Sequence, residues 1–145
     1  MGTATEMSEV QRMIVPDGGS ARQSVTIIGG GDVGLRLAER IDKLRGVQLR
    51  VIERDPGRGA MLAARLKHAL VLQGDGTDLA LLESEDIGRS DVLVSVIDND
   101  EKNLLASLLG RQLGVRRIIT RVSRLDNRRL FERVELDVGD GHQQQ

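Results

Sequence analysis

The residues best suited to chemistry lie at 24–54. Gly29-Gly30-Gly31-Asp32-Val33-Gly34 follows an apolar run, Val25-Thr26-Ile27-Ile28, and opens an amphipathic helical pattern. Glu53 closes the next apolar run, at the spacing of about 20 residues that a dinucleotide site uses. The first glycine of such a motif allows a tight strand-to-helix turn. The second lets bare backbone approach a pyrophosphate, and the third lets helix and strand pack closely. Amide groups at the helix start then face the phosphates, aided by the helix dipole. Asp32 and Val33 complete the turn. A carboxylate at Asp32 opposes a further terminal phosphate, as in ATP, unless it points away or caps the helix. Glu53 could be a solvated strand end. As a site residue it accepts hydrogen bonds from the adenosine ribose and repels a 2′-phosphate, which favours NAD over NADP. Arg54, beside it, works against that preference, because a guanidinium can pair with a phosphate.

Two later loops join this set. Gly74-Asp75-Gly76-Thr77 is either a plain turn before a helix or, lying beside the second strand, part of an adenosine site. Asp98-Asn99-Asp100-Glu101 falls at the end of the fourth strand, where open α/β sheets bind ligands at the switch point. Helix capping by Asp98 or Asn99 accounts for the same polar cluster. Its acids superficially suit a divalent cation, but no metal is expected. His68, at a helix–strand junction, and His142, in a polar tail, read as ordinary surface residues.

Strand and helix signals alternate along the chain, which predicts a doubly wound parallel sheet of the Rossmann type, α/β, with strand order 3-2-1-4-5. Strands are expected at 24–28, 48–53, 69–72, 91–97 and 117–122, with a sixth cut short near 136–138. Helices are expected at 32–44, 55–67, 78–83, 100–113 and 126–134. Asp55-Pro56 reads as a cap and first-turn proline. The apolar positions of the fourth helix, Leu104, Leu105, Leu108, Leu109 and Leu113, form a stripe wider than one sheet face needs, and its remainder would mark a subunit interface. Residues 1–23, with Pro16, Gly18 and Gly19, read as a flexible lead-in, 24–138 as the nucleotide-binding domain, and 139–145 as a disordered tail.

The 145 residues suit one domain with a real core. Phe131 is the one aromatic residue, so aromatic platforms for bases are excluded. The balance of 21 basic and 22 acidic residues gives no reason to expect nucleic acid or an anionic membrane surface as a partner. With no cysteine there are no disulfides, thiolate metal sites or thiol catalysis. No apolar run is long enough to span a bilayer, so direct membrane insertion is not expected.

The runs VTIIGGGDVGLRLAERI, VIERD, VLQGDGTDLALLESEDI and DVLVSVIDNDEKNLLASLLGRQLGVRRIITRV occur in this order. Together they resemble the RCK N-terminal domain, also called KTN or Trk-N. They look especially like the second such domain of a Trk-type potassium-uptake regulatory subunit. The resemblance covers residues 24–134. It implies a cytoplasmic domain, peripheral to the inner face of the cell membrane through a partner subunit. Such a domain binds NAD or NADH, with ATP and ADP less favoured, and controls a membrane potassium-transport subunit through dimer or ring assembly. It further implies phosphate contacts from Gly29, Gly30, Gly31, Asp32, Val33 and Gly34, and ribose contacts from Glu53. Gly74, Asp75 and Thr77 would meet the adenosine half. Ile97, Asp98, Asn99, Asn103 and Arg121 would line the cleft. Relatives that bind ATP often carry arginine where Asp32 stands. The family's C-terminal ligand-binding domain has no counterpart in these residues, so the chain is expected to be a fragment or a minimal version.

The expected role is a non-catalytic, nucleotide-sensing regulatory domain of a potassium-uptake system, a homodimer or larger ring joined through the last two helices. A dehydrogenase needs further groups to bind a substrate and place a proton donor, and no Tyr, Cys or well-placed His offers one. A small NAD-dependent oxidoreductase, or a fragment of one, is the alternative from another class. A structural assembly domain with a disused cleft is a third.

Overall fold

A computed structural model of the chain describes residues 22–123. The expected helix at 126–134, the sixth strand and both termini lie outside them. Five strands alternate with helices: β1 Gln23–Ile28, α1 Asp32–Asp42, β2 Val47–Glu53, α2 Pro56–Arg65 and β3 Leu70–Gln73. There follow α3 Leu79–Ser84, a 3-10 turn Ile87–Arg89, β4 Val92–Ser95, α4 Asp100–Leu113 and β5 Arg117–Thr120. All strand pairs are parallel, in the expected order β3-β2-β1-β4-β5.

The strands are apolar on both sides because helices cover both faces. On one face Val25, Ile27, Leu49, Val51 and Val94 pack with Leu37 and Ile41 of α1 and Leu62 of α2. On the other, Ile28, Ile52 and Leu93 pack with Leu82, Ile87 and Ala106. The period-two alternation along β1 thus divides one strand between two cores.

Some boundaries differ from expectation for physical reasons. Helix α2 stops at Arg65 rather than 67 because the Asp42 carboxylate takes the amide protons of Lys67 (2.6 Å) and His68 (3.0 Å). Strand β4 runs to Ser95 rather than 97 because its neighbour β1 has already turned away at Gly29. Helix α4 keeps its expected span, but its buried face is Asn103, Ala106, Ser107 and Gly110. A Cβ on Gly110 would stand 2.6 Å from Leu93, so small residues let this helix lie close to the sheet. Leu109 and Leu113 pack at the core margin, while Leu104 and Leu108 are half-buried and Leu105 is exposed.

Candidate functional site

The turn after β1 has the geometry its glycines predict. Gly29 has φ +105°, a conformation that a side chain would strain. A Cβ on Gly34 would collide with the Gly29 carbonyl oxygen, so α1 can start this close to β1 only with glycine there. Gly30 is buried, and its N–H donates to Glu53 Oε1 at 2.6 Å. Gly31 is the N-cap of α1 and supplies no side chain to cap it. The first amides of α1 therefore have no partner within the helix. Asp32 is exposed in this first turn, and Val33 packs against the first core.

Gly31 differs from its neighbours. Beyond its own chain neighbours, a Cβ built on it would meet one atom within 4 Å, Nη1 of Arg58 at 3.2 Å. The fold itself does not demand glycine at this position. What the bare backbone leaves accessible is the outer side of the turn.

Glu53 is 8% exposed, at the end of β2. Its Oε1 accepts from Gly30 N and its Oε2 from Asp55 N at 2.7 Å, tying the two turns together. A carboxylate has about four acceptor positions, which leaves room for ribose hydroxyls. The sequence offered a ribose contact or a solvated strand end for Glu53; the structure shows it buried and bracing the glycine turn. Arg54 is exposed beside it. Asp55 caps α2, accepting from Arg58 N at 2.8 Å, and Pro56 follows as the first helical residue.

Arg58 was not singled out from the sequence. A signal was there: it is a cation in the first turn of a helix that has no acid in that turn, against the preference of the helix dipole.

The loop after β3 continues the same edge. Gly74 N donates to the Glu53 carbonyl at 3.0 Å. Asp75 Oδ1 accepts from Thr77 Oγ1 (2.6 Å) and Thr77 N (2.8 Å). These bonds hold the Asp75 carboxyl below the usual carboxylate range; nearby Lys102 and Arg54 assist, and burial opposes. Gly76 is buried, and any Cβ there would strike Ile28, which seats the loop over the end of β1.

After β4, Ile97 is half-buried and Asp98 and Asn99 are exposed. Asn99 Oδ1 caps α4, accepting from Lys102 N at 3.0 Å. Asp100 Oδ1 accepts from Ser123 N at 2.9 Å. Asn103, expected to line the cleft, is fully buried. Its Oδ1 accepts from Ser95 Oγ and Ile97 N, and its Nδ2 donates to the carbonyls of Ile97 and Arg121. Every position an amide side chain offers is occupied, so Asn103 sits below the cleft and fixes its floor. Arg121 is half-buried just beyond β5, its N–H donating to the Ser95 carbonyl at 2.9 Å.

Strand register brings these groups to one edge. Ile28 stands beside Ile52 and Ser95, Ile52 beside Leu72, and Ser95 beside Thr120. The glycine turn, Glu53, the loop at 74–77 and residues 97–99 therefore all leave the sheet at its carboxyl edge. The crevice between β1 and β4 is the switch point of this topology. A hollow of about 700 Å³ opens at the opposite edge, lined by Arg22, Lys43, Arg45, Lys67 and His68 among others, and includes none of these residues. This hollow and the glycine-turn chemistry lie at different edges. The chemistry is the better guide, because a dinucleotide is gripped by exposed amides and a carboxylate rather than enclosed.

Comparison with known proteins agrees with this architecture. The NAD(P)-binding domain of an exopolyphosphatase-related protein from Archaeoglobus fulgidus superposes with TM-score 0.66 at 19% identity, over 86% of this chain and 100% of that one. The AMP-bound C-terminal domain of Kef from Shewanella denitrificans does so with TM-score 0.55 at 24% identity, over 67% of this chain and 57% of that one. These show the shared fold. Among curated relatives, Trk system potassium uptake protein trkA homolog 1 of Methanosarcina mazei is 49% identical over 119 residues, 82% of this chain and 29% of the relative. TrkA homolog 2 of the same species is 42% identical over 138 residues, 95% of this chain and 31% of the relative. The chain thus spans under a third of the length of these two relatives. The TrkA-N domain model matches residues 25–138. With most of its length inside that match, and with the glycine turn, buried acid and parallel sheet in place, the chain belongs to the TrkA-N domain family.

Proposed function

We propose that this chain is a nucleotide-sensing regulatory domain of a potassium-uptake system, and that its ligand is NAD or NADH. The observation that carries the reading is Gly31. Its neighbours in the turn are glycine for reasons internal to the fold, whereas Gly31 is bare toward the outside, where the motif places a diphosphate. Glu53, with acceptor positions remaining, would take the ribose. Asp75 and Thr77 would stand near the adenosine, and Ile97, Asp98 and Asn99 on the far side of the crevice. Asp32, exposed in the first turn of α1, opposes a third phosphate, so ATP and ADP rank behind the dinucleotide.

The potassium link rests on the relatives, whose names are those of Trk uptake proteins. Among the described residues no helix is long and apolar enough to cross a membrane, so control of a pore would run through a membrane subunit from the cytoplasmic side. Leu104, Leu105 and Leu108, left outward on α4, would pair subunits into a dimer or ring. A ligand that prefers one arrangement of paired subunits shifts the population by its differential affinity, for which about 1–3 kcal/mol is ordinary. Among the described residues there is no Tyr or Cys, and the one His, His68, lies at the opposite edge, which favours a sensor over an oxidoreductase.

Titration calorimetry with NAD, NADH, ADP and ATP tests the reading. Wild-type protein should bind NADH, and Gly31→Val should bind it about a hundredfold more weakly, close to 2.7 kcal/mol, with its urea midpoint nearly unchanged. Absence of binding by all four nucleotides, or wild-type affinity in Gly31→Val, would overturn it. Steady turnover of NADH with carbonyl substrates would replace the sensor with an enzyme.

A further inference from the structure

Resting on the dinucleotide reading above, we infer that Arg58 is the counter-charge for the ligand's diphosphate. The argument starts from an electrostatic deficit. A diphosphate brings two negative charges to an edge that already carries Asp32, Glu53, Asp55 and Asp75. Exposed amides and a helix dipole supply only about half a positive charge. A cation has to make up the difference.

Several cations stand at this edge. Arg54 follows Glu53 at the end of β2, Lys102 lies in the first turn of α4 and Arg121 lies beyond β5, but the contact at the bare face of Gly31 comes from Arg58. Arg58 is exposed, and among the described residues it makes no ion pair. Its Nη1 lies 3.2 Å from where a Cβ of Gly31 would stand, over the face of the turn that the fold leaves bare. Its backbone is fixed by the Asp55 cap and by Pro56 at the start of α2, so the long side chain swings from a rigid base. Its position is otherwise costly. A cation in the first turn of a helix opposes the dipole, and the one acid at this helix start, Asp55, spends an oxygen on the Arg58 backbone amide. An anion bound over Gly31 would compensate the cation. The planar guanidinium can present two parallel N–H donors to phosphate oxygens, which an ammonium cannot.

The test is calorimetry on wild type, Arg58→Ala and Arg58→Lys with NADH, ADP and NADPH, at low and at high salt, with urea unfolding of each protein. The expected result is a tenfold to hundredfold loss of NADH and ADP affinity in Arg58→Ala, with part restored in Arg58→Lys. Salt dependence should be shallower in Arg58→Ala, since one charge pair is gone, and the urea midpoint should be unchanged. Equal NADH affinity in wild type and Arg58→Ala overturns this inference while leaving the dinucleotide reading intact. Loss confined to NADPH overturns it too, by moving Arg58 to a 2′-phosphate. Loss that tracks a fall in folding stability, with an unchanged salt slope, reduces Arg58 to a structural role and overturns it as well. Failure of wild type to bind any of the three overturns both.

Discussion

At the amino edge of the sheet, Arg22, Lys43, Arg45 and Lys67 line an open hollow. At the carboxyl edge, Asp32, Glu53, Asp55 and Asp75 stand near a glycine turn. The amino edge offers a hollow and a basic surface, yet its cations have local explanations. Helices α1 and α2 end there, and cations belong at helix C-termini. Asp42 is taken up by two backbone amides, and Glu39 stands 3.9 Å from Arg65. At the carboxyl edge the chemistry is unfinished. An N-cap glycine leaves the first helical amides without a capping side chain, an arginine lacks a carboxylate, and a buried carboxylate keeps acceptor positions. The proposed site therefore rests on what the fold leaves unmatched at one edge, while the cations at the other sit where helix C-termini favour them.

The comparison can be broken at several points. The largest effect should come from Gly34→Ala, which drives a methyl group into the Gly29 carbonyl. It should cost about 3 kcal/mol of stability or prevent folding, as read by urea denaturation. Near-normal stability would mean that the turn is far softer than its geometry implies.

Next is Glu53→Ala, which should weaken NADH binding by about 1–3 kcal/mol. Because Glu53 also accepts from Gly30 and Asp55, the urea midpoint should fall with it. Loss of binding without loss of stability would show the brace to be unimportant.

Asp75 should matter through pH. Its carboxyl is held down in the folded protein, so it contributes stability above the ordinary unfolded value of about 3.9. That contribution disappears as pH falls through the lower folded value. Asp75→Asn should be less stable than wild type at neutral pH, and the gap should close in acid, as followed by circular dichroism. A gap independent of pH would assign the loss to packing.

The smallest effect is expected at the amino edge. Lys43→Ala and Lys67→Ala should each change stability by less than about 0.5 kcal/mol and leave NADH affinity untouched. A marked loss of nucleotide binding in either would move the site to the hollow.

Much of this was legible in the sequence because it is local. The glycine turn, the Asp55-Pro56 cap and the Gly114 stop of α4 each lie within a few residues of the structure they specify. Strand order followed from the alternation of strand and helix. What escaped depends on contacts between distant residues. Helix α2 ends early because of Asp42, more than 20 residues upstream. The leucine stripe of α4 read as too wide for one sheet face, but the sequence did not show which part is buried: Leu109 and Leu113 reach the core margin, and the small residues between the leucines meet the sheet, where Gly110 comes close to Leu93. Asn103 looked like a ligand contact because it follows the crevice loop, and only the three-dimensional path shows its amide turned inward. Arg58 escaped because its significance lies across a gap, at Gly31.

Asn103 has a mechanical consequence. Its amide fastens the end of β4, the loop that leaves it and Arg121 just beyond β5 to the same turn of α4. A slide of that helix along its axis would strain these four bonds together, so helix and crevice floor are fastened to each other. In the proposed sensor, a push on the outward leucines would pass through this fastening to the nucleotide side.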